Sequence, residues 1–213
     1  SDHLVLASSL PVFVPGGLHG IQQWNEAVCD GAWGRPAAWV GERMRRALDL
    51  EGWPAFDRSF AAMEALLLEV AGRDGAPHTI SIVGGDIHFG YVAEIALPDG
   101  ARSTVRQVVC SPLRNILRTR DRRVMRFGAS RSGRRVGAWL QRAVGRGRTA
   151  LRWELEDGPV FDNNIGTFHV EAPDYPAGVI EYVKIHNGGD TTFKPGEHVP
   201  LEDVEAANKK IKD

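Results

Sequence analysis

Thr79-Ile80-Ser81-Ile82-Val83-Gly84-Gly85-Asp86-Ile87-His88 is the stretch that decides how this chain is read. Alternation and β-branched residues after the Pro77 breaker predict a buried strand over 79–84, ended by two glycines. That strand would deliver Asp86 and His88, two metal-ligand types one residue apart, to its carboxyl end. Ligands collect outside the carboxyl ends of strands in α/β proteins. Glycine there lets the backbone turn sharply and lets a substrate come close. A carboxylate oxygen and an imidazole nitrogen suit Zn, Mn or Fe, with Ca a further divalent candidate. The same Asp-X-His also reads as a turn aspartate beside a solvated histidine.

Outward from this stretch, strands are predicted at 90–97 and 104–110, joined by the turn Pro98-Asp99-Gly100. Upstream, Phe56, Phe60, Met63, Leu67 and Val70 recur at three and four residues and predict a core-facing helix over 54–71. Another helix is predicted over 36–50. Residues 3–8 and 11–14 read as a strand interrupted by Pro11, and the glycine-rich 15–36 as a long functional or lid-like loop. Downstream, 113–126 reads as helix or basic loop and 133–145 as helix. Strands are predicted at 149–156 and 165–171. The fold class from pattern alone is α/β or α+β with a mixed sheet.

Composition bounds the function. With 213 residues and 43% hydrophobic content the chain can bury a core. No apolar run is long enough to span a bilayer, and no secretory leader opens the sequence, although a missing N-terminal half would have taken one with it. Cys29 and Cys110 lie far apart, which suggests reduced thiols and leans towards a cytoplasmic location. Residues 102–152 hold fifteen arginines against the single acid Asp121. Such a segment can meet phosphate backbones, anionic membrane surfaces or an acidic partner. Its few aromatic residues make nucleic acid an unlikely ligand. It also reads as a solvated face in an arginine-preferring chain, since residues 1–183 contain no lysine. Lys184, Lys194, Lys209, Lys210 and Lys212 mark a change of texture, so residues 1–172 and a tail 173–213 are read as separate segments.

Val83-Gly84-Gly85-Asp86-Ile87-His88-Phe89-Gly90-Tyr91 resembles the Gly-Asp-X-His strand–turn–strand of the PhoD-like (alkaline phosphatase D) branch of the calcineurin-type metallophosphatases. Trp24-Asn25-Glu26, Asp30-Gly31-Ala32-Trp33, Trp53-Pro54-Ala55-Phe56, Ser111-Pro112-Leu113-Arg114-Asn115 and Asp157-Gly158-Pro159-Val160-Phe161-Asp162-Asn163 are similar to further segments of that family, in the same order. The resemblance covers roughly residues 4–170. It implies part of a four-layer α-β-β-α sandwich with mixed sheets, and hydrolysis of phosphomonoesters or phosphodiesters by water activated between two divalent metal ions. It implies His88 as a metal ligand, and Asp86 as a ligand or as the partner that orients the imidazole. The family's early Asp-X-His, Gly-Asp-X-X-Asp and Gly-Asn-His motifs have no counterpart upstream of the turn. The chain therefore looks like the C-terminal half of such an enzyme, incomplete for catalysis and open to pairing with another chain or with a missing N-terminal half.

Other candidates keep two readings each. Arg114 and Asn115 would clamp a phosphoryl oxygen, or serve a loop and an ion pair. Asp30 would position substrate, or cap the helix that follows it. His19 would reach a metal or phosphate from the loop, or stay solvated. Ser111 lacks the Gly-X-Ser-X-Gly surroundings of a nucleophile elbow and reads as a turn serine. His169 packs within a strand. The alternative to an enzyme is a non-catalytic α/β binding module whose arginine-rich face engages a polyanion or a protein partner.

Overall fold

Strand Thr79–Gly84 lies inside a five-stranded sheet, flanked by a parallel strand on either side. The computed structural model of the protein describes residues 3–110, 117, 119–161, 163–170 and 178–185. In chain order these form β1 (His3–Ala7), α1 (Gly16–Cys29), α2 (Arg35–Leu48), a 3₁₀ turn (Trp53–Ala55), α3 (Asp57–Gly72), β2 (Thr79–Gly84), β3 (Gly90–Ala96), β4 (Thr104–Val109), α4 (Thr119–Ala129), α5 (Arg131–Ala143), β5 (Arg152–Val160), β6 (Asn163–Val170) and β7 (Gly178–Ile185). The fold is α/β. Its main sheet is mixed, in the order β1-β2-β4-β3-β5, and β6 and β7 form a separate antiparallel pair.

The chain divides into two compact units. The sheet unit comprises residues 1–11, 66–119 and 151–213, and the helical unit residues 12–65 and 120–150, so the division runs through α3. In the sheet unit, β1, β2 and β4 run parallel while β3 runs antiparallel to both β4 and β5. The turn at Pro98-Asp99-Gly100 closes the β3–β4 hairpin as expected, with the Ala101 N–H donating to the Pro98 carbonyl at 3.2 Å. Every residue of β4 is buried, whereas β5 alternates exposed and half-buried positions as an edge strand does.

Register assigns the two faces of the sheet. Ile80, Ile82, Val105, Val109, Tyr91 and Ile95 share one face and form its apolar core. Gln107 sits among them, fully buried, and its amide donates to the Tyr91 hydroxyl at 3.2 Å. The other face carries Ser81, Arg106, Val108, Val92 and Glu94. Arg106 is buried there between Glu94, 3.7 Å away, and Glu156, 3.2 Å away. A guanidinium taken out of water needs such partners, because an unpaired buried charge is strongly destabilising.

The helical unit corrects the expected loop at 15–36. Residues 16–29 are helix α1, and the glycines that suggested a loop are there because α5 crosses against them. A Cβ on Gly20 would lie 2.5 Å from the Gly137 backbone, and one on Gly17 would lie 2.7 Å from the Gly133 carbonyl carbon. Glycine lowers helix propensity by about 1 kcal/mol, and the close crossing offsets that. Residues 11–14, expected as strand, are irregular, yet Val12, Phe13 and Val14 are buried. Phe13 meets Phe60 edge-to-face with ring centroids 5.7 Å apart. The helix expected over 54–71 is found as the 3₁₀ turn and α3, and its buried positions include Phe60, Glu64, Leu67 and Ala71, whereas Phe56 is exposed.

The expected boundary at residue 172 lies outside the described residues. β7 falls within the expected tail 173–213 and pairs with β6 from Asn163↔Ile185 to Val170↔Gly178.

Candidate functional site

β1, β2 and β4 end together at one edge of the sheet, and the turn 84–88 leaves from the middle of the three. Its neighbours pin it. The Ser8 N–H donates to the Val83 carbonyl at 2.9 Å, the Gly85 N–H to the Ser9 carbonyl at 3.3 Å, and the Cys110 N–H to the Gly84 carbonyl at 3.2 Å. The extensions of β1 and β4 thus hold the glycine pair from both sides. Phe89 then closes the turn from below. It is buried, stacks on Tyr91 with centroids 5.5 Å apart and meets Phe161 at 5.8 Å.

Between these anchors the backbone is held in an uncommon shape. Asp86 has φ 58° and His88 has φ 59°, the left-handed region that L-residues with side chains rarely enter. Such conformations cost of order 1–3 kcal/mol each and persist where the surroundings over-determine them. The outcome is a division of labour. The Asp86 side chain stands in solvent, while His88 is half-buried and its Nδ1 atom is buried with no hydrogen-bond partner among the described residues. A buried ring nitrogen without a partner is costly. An imidazole in that position has a nitrogen to offer to a group outside the described residues.

A divalent cation is one candidate, and the donor types fit it in part. His88 offers a nitrogen and Asp86 a carboxylate, the donor set that suits Zn, Mn or Fe. Among the described residues no group of three or more His, Cys, Asp or Glu side chains gathers to hold a metal. Arg114, Asn115 and Ser111 follow β4 and lie outside the described residues, and so does residue 162 beside Phe161. No family model, curated protein or solved structure matches the chain.

Two other expected site residues belong to the helical unit. Asp30 is exposed and closes the C-terminal end of α1, its N–H donating to the Glu26 carbonyl at 2.9 Å. It does not cap the next helix, whose N-cap residue is Gly34. His19 is not on a loop. It lies inside α1, almost fully buried, with its ring 4.8 Å from that of Phe60. Burial lowers its pKa to about 3, opposed by a hydrogen bond with Gln23. His19 therefore stays neutral at physiological pH and serves packing. His169 falls in β6, as expected of a strand residue.

A charged cluster in the same unit carries no signal in local sequence. Arg146 pairs with Glu26 at 2.6 Å and with Asp57 at 2.5 Å, and the Gln23 amide donates to Asp57 at 3.1 Å. Burial raises the Glu26 pKa, and a backbone hydrogen bond from Asp57 and the charge of Arg146 oppose the rise. The contacting pairs stand 31 to 120 positions apart, so no local motif announces them. They tie α1, the start of α3 and the segment after α5 together. Among the described residues, Cys29 and Cys110 are both free thiols, and no helix is long and apolar enough to cross a membrane.

Proposed function

We propose that this chain works as part of a metal-dependent phosphohydrolase similar to the PhoD-like enzymes, with the turn at 84–88 as its reactive edge. The observation that carries the reading is His88: a ring nitrogen buried without a partner among the described residues, on a strained turn, outside the carboxyl ends of parallel strands. A phosphate ester, mono- or diester, is the substrate class the resemblance supports. The four-layer sandwich belongs to the same proposal. Gly166 of β6 supports it, since a Cβ there would lie 2.0 Å from the Cys110 sulfur. Cys110 in turn packs on Val92 and Val108 of the polar sheet face, where a second sheet would lie.

In this reading His88 would offer a ring nitrogen to a divalent cation from a turn whose glycines are held on both sides. Asp86 adds a second oxygen donor or orients the imidazole. Bound divalent metal supplies a water of lowered pKa and charge compensation for the phosphoryl oxygens. Gly84 fits against the Pro11 backbone, 3.1 Å from where a Cβ would lie, and Gly85 leaves the turn open to close approach by an ester. The remaining metal donors would come from another chain or another segment.

The test is elemental analysis of the purified chain, with an aryl phosphomonoester and an aryl phosphodiester assayed on the same sample. Bound Zn, Mn, Fe or Ca at a fixed stoichiometry, lost in His88→Ala, is the expected result, with ester hydrolysis expected only where another segment completes the donor set. A chain that takes up no metal, alone or supplied with Mn or Zn, overturns the proposal for this chain.

A further inference from the structure

α5 buries one face and leaves an apolar one in water. Gly133 and Gly137 are buried where the helix crosses α1. At 100° per residue, Val136, Trp139 and Ala143 form one stripe beside that seam. Arg131, Arg135 and Arg142 form the next stripe round, and all three are exposed. The apolar stripe is exposed too, Trp139 at 63% and Val136 at 41%. Trp33, itself exposed, extends it, its indole N–H donating to the Ala143 carbonyl at 3.4 Å. Ser130 alone separates α5 from α4, accepting from the Gly133 N–H at 3.0 Å. α4 adds Val124 and Phe127, three residues apart and both exposed, with Arg123 exposed beside them.

Most exposed large apolar side chains of the described residues belong to this helical unit, and on α4 and α5 they sit among arginines. Three occupants can be compared on chemistry. A second copy of the chain would set arginine stripe against arginine stripe, since a two-fold contact pairs a patch with itself. A nucleic acid would meet the arginines, yet Val124, Val136 and Phe127 would gain nothing from a phosphate backbone. An anionic lipid surface satisfies both stripes: phosphate headgroups accept from guanidinium groups, and Trp and aliphatic side chains enter the headgroup–acyl boundary.

We infer that the α4–α5 face is a docking surface for an anionic membrane, with Trp139 and Val136 inserted and Arg131, Arg135 and Arg142 on the headgroups. It is a peripheral contact, independent of the phosphohydrolase reading. It gives the arginine-rich segment a role that a solvated face would not have.

The experiment is co-sedimentation of the full chain with phosphatidylcholine vesicles, with and without phosphatidylserine, over a range of salt. Binding should require phosphatidylserine and weaken as salt rises. An arginine near an anionic leaflet contributes about 1 kcal/mol, roughly five-fold in affinity, so Arg135→Gln/Arg142→Gln should weaken binding by about twenty-five-fold. Trp139→Ser should weaken it by roughly ten-fold through lost apolar burial. The lipid and salt dependence of the native chain needs no variant, so a misfolded mutant cannot rescue the idea. Equal binding to both vesicle types, or none, overturns it. So does a chain that ignores vesicles but binds an oligonucleotide, or one that dimerises through Trp139.

Discussion

β2 and β4 lie side by side over six registered residue pairs, buried on both faces, and the residues that define them are neighbours in sequence. α1 and α5 also lie side by side, but their contact is made by glycines at 17, 20, 133 and 137, more than a hundred residues apart. Burial of β-branched side chains holds the first pair. The second is held by the absence of side chains, which lets backbones approach closely enough for dispersion contacts along the helices. A reading of local pattern meets the first kind of contact and misses the second.

The largest expected effect breaks that contrast at the helix crossing. Gly20→Val would drive a branched side chain into the Gly137 backbone, where even a Cβ is 2.5 Å away. Backbone cannot rotate aside as a side chain can, so destabilisation above about 4 kcal/mol is expected, enough to unfold a marginal protein. Gly147→Ala is the control, since nothing lies within 4 Å of its Cβ position, and it should change stability by less than about 0.5 kcal/mol. Chemical denaturation of the two variants checks the pair. Equal stability would mean that the glycines of α1 mark a mobile segment after all.

The same contrast explains how much of the molecule was legible. The strands at 79–84, 90–96 and 104–109 carry their own signals in β-branched runs, in Pro77 and in the turn Pro98-Asp99-Gly100. α2 and α3 were legible from helical spacing. α1 was not, because Gly16, Gly17 and Gly20 contradict helix propensity and only the crossing with α5 explains them. At the candidate site, the turn and its ligand types were legible in Gly84-Gly85-Asp86-Ile87-His88. The left-handed backbone and the Nδ1 of His88, unpartnered among the described residues, were not, since both depend on how β1, β4 and Phe89 clamp the turn.

A second prediction sharpens the comparison inside the sheet. Arg106 reads in sequence as one arginine among many, yet it is buried between Glu94 and Glu156. Arg106→Ala would leave two carboxylates facing each other with their cation gone. Removing one partner of a buried ionic group costs about 3–5 kcal/mol, and the partial exposure of Glu156 puts this case at the lower end, near 3 kcal/mol. Arg106→Ala/Glu94→Gln should recover part of the loss. If the double variant is as unstable as the sum of the two single ones, the pairs do not couple, and the polar face owes its stability to Val92 and Val108 instead.

The smallest effect is a pH dependence that should come from the helical unit. His19 has its pKa lowered to about 3 by burial, against an ordinary value of 6.5. Unfolding therefore lets the imidazole take up a proton that the native state refuses. The contribution is fully present above pH 6.5 and is lost as pH falls from 6.5 towards 3. Between pH 7 and pH 5 the loss amounts to roughly 2 kcal/mol from this one residue, at 1.36 kcal/mol per pH unit. His19→Leu removes the titration while keeping an apolar side chain against Phe60, so its stability should fall less over that interval than that of the native chain. Denaturation midpoints at the two pH values decide it. Parallel losses in both proteins would mean that the imidazole reaches water in the native state, and that α1 opens around His19 as a loop would.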